Sequence, residues 1–74
     1  MIKEFDVVEL IRDIPRGRLE GLSLKAGTRG AVVERYSNDV FLVEFVDEDG
    51  ETLDVTDVTR ADIRVLKAEE TSRG

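Results

Sequence analysis

The sequence predicts an all-β fold, a small five-stranded SH3-like barrel, and three observations carry that prediction. Residues 40–46 alternate, with Phe41, Val43 and Phe45 on one side and Glu44 on the other, the period-two signature of a half-buried strand. An acidic turn ending in Gly50 then leads into Leu53 and Val55, which repeat the alternation as the second arm of a hairpin. The remaining apolar runs are short, rich in β-branched residues and broken by Pro15 and by glycines, a pattern of strands joined by turns. On this reading Phe41, Val43, Phe45, Leu53 and Val55 point inward and close a curled sheet around the core.

Each element follows from its residues. Residues 5–14 are β-branched and form the first strand; Val8 and Leu10 share one parity and Phe5, Val7 and Ile11 the other, and the first pair is assigned to the inside. Pro15 has no backbone N–H and ends the pairing. Residues 16–29 form a long first loop without strand pattern, in which Leu19, Leu22 and Leu24 are expected to fold back over one end of the core. Gly27 suits a turn position with positive φ, and Gly30 a bulge or a close backbone approach. The second strand spans 31–36, and the polar Ser37, Asn38 and Asp39 return the chain antiparallel into 40–46. Tyr36 is expected to cap the barrel. The turn at 47–50 fits type I with Gly50 left-handed. Residues 57–62 are too few for an ordinary helix and fit one 3₁₀ turn capped by Thr59 or Asp57. A last strand at 63–67 completes a domain over 1–67, and the polar residues 68–74 make a tail expected to fray.

Length and composition narrow the function. A chain of 74 residues makes one domain and buries only about 60% of its unfolded surface. Its 11 basic and 17 acidic residues give a net charge of −6, which opposes nonspecific attraction to phosphate backbones. With no cysteine there are no disulfides and no thiolate metal ligands, as fits a reducing cytoplasm. No apolar run approaches the roughly 20 residues of a membrane helix. Histidine is absent as well, so the commonest general base and the best nucleophile are both missing. A non-catalytic chain without cofactor or metal is expected. Asp47-x-Asp49-Gly50 shares part of a calcium loop, but aligning Gly50 with the loop glycine puts Phe45 at the first ligand position and Thr56 where a bidentate Glu is required.

Charge is segregated along the chain. Residues 40–57 hold seven carboxylates, Glu44, Asp47, Glu48, Asp49, Glu51, Asp54 and Asp57, and no Lys or Arg. Residues 12–29 hold five bases, Arg12, Arg16, Arg18, Lys25 and Arg29, against Asp13 and Glu20. Solvated charge and protection of strand edges account for such runs in most small domains. The functional alternative is electrostatic recognition of a protein partner. Its candidate residues are Arg16, Arg18, Lys25 and Arg29 on the loop and Glu44, Asp47, Glu48, Asp49, Glu51 and Asp54 on the hairpin. The four bases could instead grip phosphates, although the loop offers no aromatic ring for a base to stack on. A polyproline groove is not expected, since Tyr36, Phe5, Phe41 and Phe45 are the only aromatics and the core needs some of them.

The segments Asp6-Val7-Val8-Glu9-Leu10, Arg12-Asp13-Ile14-Pro15, Leu24-Lys25-Ala26-Gly27, Gly30-Ala31-Val32-Val33, Val43-Glu44-Phe45 and Asp62-Ile63-Arg64, in that order, resemble a small bacterial family catalogued as domain of unknown function 4926. The resemblance covers most of residues 2–66 and departs at 16–23, where this loop looks longer. It implies the barrel fold and a bacterial origin. Family members encoded beside other small proteins imply a partner-binding role, as the antitoxin or immunity member of a two-protein system. Gly27-Thr28-Arg29-Gly30-Ala31-Val32-Val33 is also similar to the KOW-type barrels of ribosomal and transcription proteins. The expectation is therefore a cytoplasmic protein-binding module whose partner is a basic protein encoded nearby, with homodimerisation compatible. The alternatives are a KOW-type nucleic-acid-binding module and an accessory domain of a larger enzyme.

Overall fold

A computed structural model describes residues 2–66. Its strands are β1 (Val7–Leu10), β2 (Arg29–Arg35), β3 (Val40–Val46), β4 (Thr52–Thr59) and β5 (Ile63–Val65), with a 3₁₀ turn at Arg60–Asp62 before the last. All pairings are antiparallel, in the order β4-β3-β2-β1-β5. Among the described residues, no helix is long and apolar enough to cross a membrane. The expected tail at 68–74, and Lys67 before it, lie outside the described residues.

The order corrects the expected SH3-like barrel. Closure would require the two outer strands to pair with each other, whereas β4 and β5 stand at opposite ends of the ladder and the sheet is open. Two features explain this. The last strand has only three residues, and they are spent on β1 through Val8↔Val65, Glu9↔Arg64 and Leu10↔Ile63. Next to β4 the chain contributes the 17–22 loop, which binds the side chains of Asp54 and Thr56 and adds no strand.

One face of the sheet carries the core. Val8, Leu10, Val32, Phe41, Val43, Phe45, Val58 and Ile63 are buried, with Ile2 from the N-terminal segment and Leu24 from the long loop packed among them. Val8 and Leu10 thus point inward as their parity predicts. Leu24 reaches the core because it forms an isolated bridge with Ile14, their backbones exchanging hydrogen bonds of 2.7 and 2.8 Å. Leu19 and Leu22, expected to join it, remain exposed, as does Tyr36.

The hairpin arms differ from expectation in phase. Phe41, Val43 and Phe45 are fully buried, but the residues directly opposite them are Val58, Thr56 and Asp54, and these share the buried face. Val55 lies across from Glu44 on the other face, and Leu53 is only half-buried. A bulge next to Phe45, where Asp54 and Thr52 oppose consecutive β3 residues, takes up Leu53 as the extra residue. A second bulge sets Val33 and Glu34 against Leu42. β4 also runs on to Thr59, absorbing residues assigned to the turn; Thr59 then stands at the cap of the 3₁₀ turn, its N–H and hydroxyl both donating to Asp62. The tight turn has Gly50 at φ 85°, with Gly50 N–H donating to the Asp47 carbonyl at 3.0 Å. Gly30 is a close approach: a Cβ there would sit 2.5 Å from the Glu44 carbonyl oxygen.

Candidate functional site

Both segments singled out by charge meet at β4, and they behave differently. The 17–22 loop is wrapped around one carboxylate. Asp54 is fully buried, and its oxygens accept from the backbone N–H groups of Leu19 at 2.8 Å, Glu20 at 3.0 Å and Leu22 at 3.3 Å. Successive N–H groups converging on one anion make a nest, and here the chain supplies its own anion. Burial pushes the Asp54 carboxyl up, but the N–H groups of Leu19, Leu22, Glu20 and Val55 together outweigh it and hold the group below the usual carboxylate range. Arg18 N–H donates to the Thr56 hydroxyl at 3.1 Å, and Gly17 N–H closes the loop on the Leu22 carbonyl at 2.7 Å. Gly17 is buried because the carboxylate lies against it; a Cβ at that position would be 2.3 Å from Asp54 Oδ2.

Two of the four bases of the long loop, and Arg12 before it, enter surface ion pairs within the chain. Arg18 pairs with Asp57 at 2.8 Å, Lys25 with Asp13 at 3.9 Å and Arg12 with Asp62 at 3.5 Å. Asp13 also accepts the Ala26 N–H, tying the two ends of the loop together. Arg16 is exposed, with its guanidinium lying over Gly21. Arg29 is exposed on β2, opposite Glu9 and Val46.

The hairpin tip is the reverse case. Asp47, Glu48, Asp49 and Glu51 are all exposed, and none enters an ion pair among the described residues. Asp47 shapes the turn, accepting the N–H groups of Asp49 at 2.8 Å and Glu51 at 2.9 Å. Glu44 lies half-buried on the sheet's other face and accepts the Thr52 hydroxyl. Between the tip and the 26–29 turn runs an open groove of about 650 Å³, lined by Val46, Leu53, Gly27, Arg29, Asp47 and Glu48. Its lining thus combines apolar side chains with two unpaired carboxylates and one cation. Among the described residues, no group of three or more acidic side chains is placed to hold a metal ion.

The buried role of Asp54 is what sequence reasoning missed. It was grouped with the exposed acids because charge runs carry no information about burial. The signals available are Gly17 and Gly21 bracketing the three residues 18–20, and the spacing Asp54-x-Thr56-x-Val58.

Neither the curated proteins nor the solved structures give a significant match to this chain. A family model described as Domain of unknown function (DUF4926) matches residues 4–65, a span that takes in all five strands, the 17–22 loop and the acidic hairpin. The chain belongs to the DUF4926 family.

Proposed function

We propose that this chain is a non-catalytic, cytoplasmic protein-binding module that receives a basic protein on its acidic hairpin tip and the adjoining groove. One observation carries the reading: Arg18 and Lys25 of the long loop, and Arg12 before it, pair with carboxylates of the same chain, whereas the tip carboxylates are exposed and enter no ion pair among the described residues. Like charges crowded on a turn repel one another; facing a basic surface they steer encounter and reject acidic partners. The apolar floor of Val46 and Leu53 adds surface that a partner side chain can bury.

The test is capture of a co-expressed partner by the wild-type chain and by the triple variant Glu48→Gln, Asp49→Asn, Glu51→Gln, at increasing salt. Asp47 is left intact because it holds the turn. The expected result is a basic protein retained by wild type at low salt, released as the screening length falls from about 10 Å at 0.1 M to about 3 Å at 1 M, and not retained by the variant. Equal retention by the variant, or retention indifferent to salt, contradicts the proposal.

A further inference from the structure

The groove beside the hairpin tip carries charges of both signs that do not pair with each other. Arg29 lines it from the 26–29 turn, and Asp47 and Glu48 line it from the tip. Val46, which stands across the ladder from Arg29, and Leu53 supply apolar lining. All three charged side chains are exposed. No ion pair joins Arg29 to either carboxylate, and its guanidinium takes no other polar partner among the described residues. Glu9, its neighbour on β1, is engaged by Arg64 through contacts of 2.8 and 2.9 Å.

The backbone around the groove is largely committed within the chain. On the turn, Ala26 N–H donates to the Asp13 carboxylate, Gly27 N–H to the Leu10 carbonyl, and the Thr28 N–H and hydroxyl to the Lys25 carbonyl. On the tip, the N–H groups of Asp49 and Glu51 both donate to Asp47 Oδ1, and Gly50 N–H donates to the Asp47 carbonyl. A docked strand would need a row of free main-chain groups. The groove offers side chains instead. A segment that is basic throughout suits Asp47 and Glu48 but sets a like charge against Arg29, and an acidic segment does the reverse.

We infer that the groove reads a dipolar stretch of its partner, an apolar side chain flanked by one acidic and one basic residue, and that Arg29 selects the acid. This rests on the reading of tip and groove as the partner's contact surface, and it adds that a partner basic overall presents an acidic residue at this point. The apolar side chain covers Val46 and Leu53, and the base meets Asp47 and Glu48. The acid meets Arg29, whose planar fork can donate two parallel bonds to one carboxylate.

The test is a double-mutant cycle on the full ¹⁵N-labelled chain at low salt. The peptides, capped at both ends, are Gly-Glu-Leu-Lys-Gly, the reversed Gly-Lys-Leu-Glu-Gly, and a counterpart of each with Gln for Glu. The proteins are wild type and Arg29→Gln. In one of the two orders the dipolar peptide is expected to shift the amides of residues 26–29 and 46–48. Changing its Glu to Gln should then weaken wild-type binding at least about threefold and make no difference to Arg29→Gln. The variant should keep the wild-type unfolding midpoint, since the Arg29 guanidinium makes no polar contact within the fold. Absence of coupling between Arg29 and the peptide Glu in both orders, absence of shifts at those amides, or a lowered midpoint in Arg29→Gln would each overturn the inference. The Gln-for-Glu peptides, which keep the Lys, judge the tip separately. If Glu48→Gln, Asp49→Asn, Glu51→Gln loses them while the cycle shows no coupling, the inference fails and the tip reading stands; unchanged binding by that variant contradicts the tip reading itself.

Discussion

Asp54 shows how far the meaning of one residue depends on what folds around it. It stands in the most acidic stretch of the chain, yet it is the one carboxylate there that is wholly buried and bound by backbone donors. Asn at this position keeps the shape but has one acceptor oxygen in place of two and adds donors that face other donors. Asp54→Asn is therefore expected to cost about 1–3 kcal/mol, the penalty of leaving buried donors unsatisfied, measurable by urea unfolding at neutral pH. The pH dependence has a definite sign. The folded-state value is lowered relative to the unfolded one, so the stabilisation is fully present above the unfolded carboxylate range, near pH 4, and is lost as pH falls through the folded value. Wild type should lose stability on acidification more steeply than Asp54→Asn. Gly17→Ala tests the same clasp from the loop side: with a Cβ 2.3 Å from Asp54 Oδ2, either the loop or the carboxylate must move. The expected loss in thermal or chemical denaturation is about 1–3 kcal/mol.

At the scale of elements, strand positions were legible where apolar alternation is uninterrupted. The bounds of residues 40–46 agree with the alternation, and Val8 and Leu10 point inward as assigned, although both parities of residues 5–14 carry apolar side chains and the pattern alone does not choose between them. The phase of β4 was not legible, because alternation assumes an unbroken ladder. The bulge at Leu53 shifts the second arm by one residue, turning Asp54, Thr56 and Val58 to the core side and leaving Leu53 and Val55 half-buried. Two polar side chains on a buried face look unfavourable in isolation; they are tolerated because the loop supplies partners that no local pattern announces. Substitutions should follow the observed phase. Phe41→Ala, which empties a fully buried site, is expected to cost about 3–5 kcal/mol, enough to unfold most molecules of a domain this small. Val55→Thr, on the outer face, should stay within about 0.5 kcal/mol, as surface changes do. A larger loss for Val55→Thr than for the buried-face change Thr56→Val would argue for the opposite phase.

The whole molecule is an open antiparallel sheet in which several bases pair with carboxylates of the same chain at the surface, while the carboxylates of the hairpin tip are exposed and enter no ion pair among the described residues. The SH3-like barrel was a natural expectation from five short strands, a long first loop and a 3₁₀ turn, all of which are present. Closure is a property of strand pairing that these features do not determine; here β4 and β5 stay at opposite ends of the ladder, and the 17–22 loop beside β4 binds side chains without adding a strand. The same clasp bears on function, since a loop whose N–H groups are committed to Asp54 does not present them to a phosphate or a partner. The carboxylates of the hairpin tip, by contrast, stay exposed. Amide hydrogen exchange at Leu19, Glu20 and Leu22 near neutral pH tests this most directly, because protection reports whether those N–H groups are held in the native state. All three should be strongly protected in the wild-type chain and should lose that protection in Asp54→Asn. Exchange at the rate of unstructured backbone in the wild type would show the loop to be free, and the division between a loop clasped on Asp54 and an exposed acidic tip would fall with it.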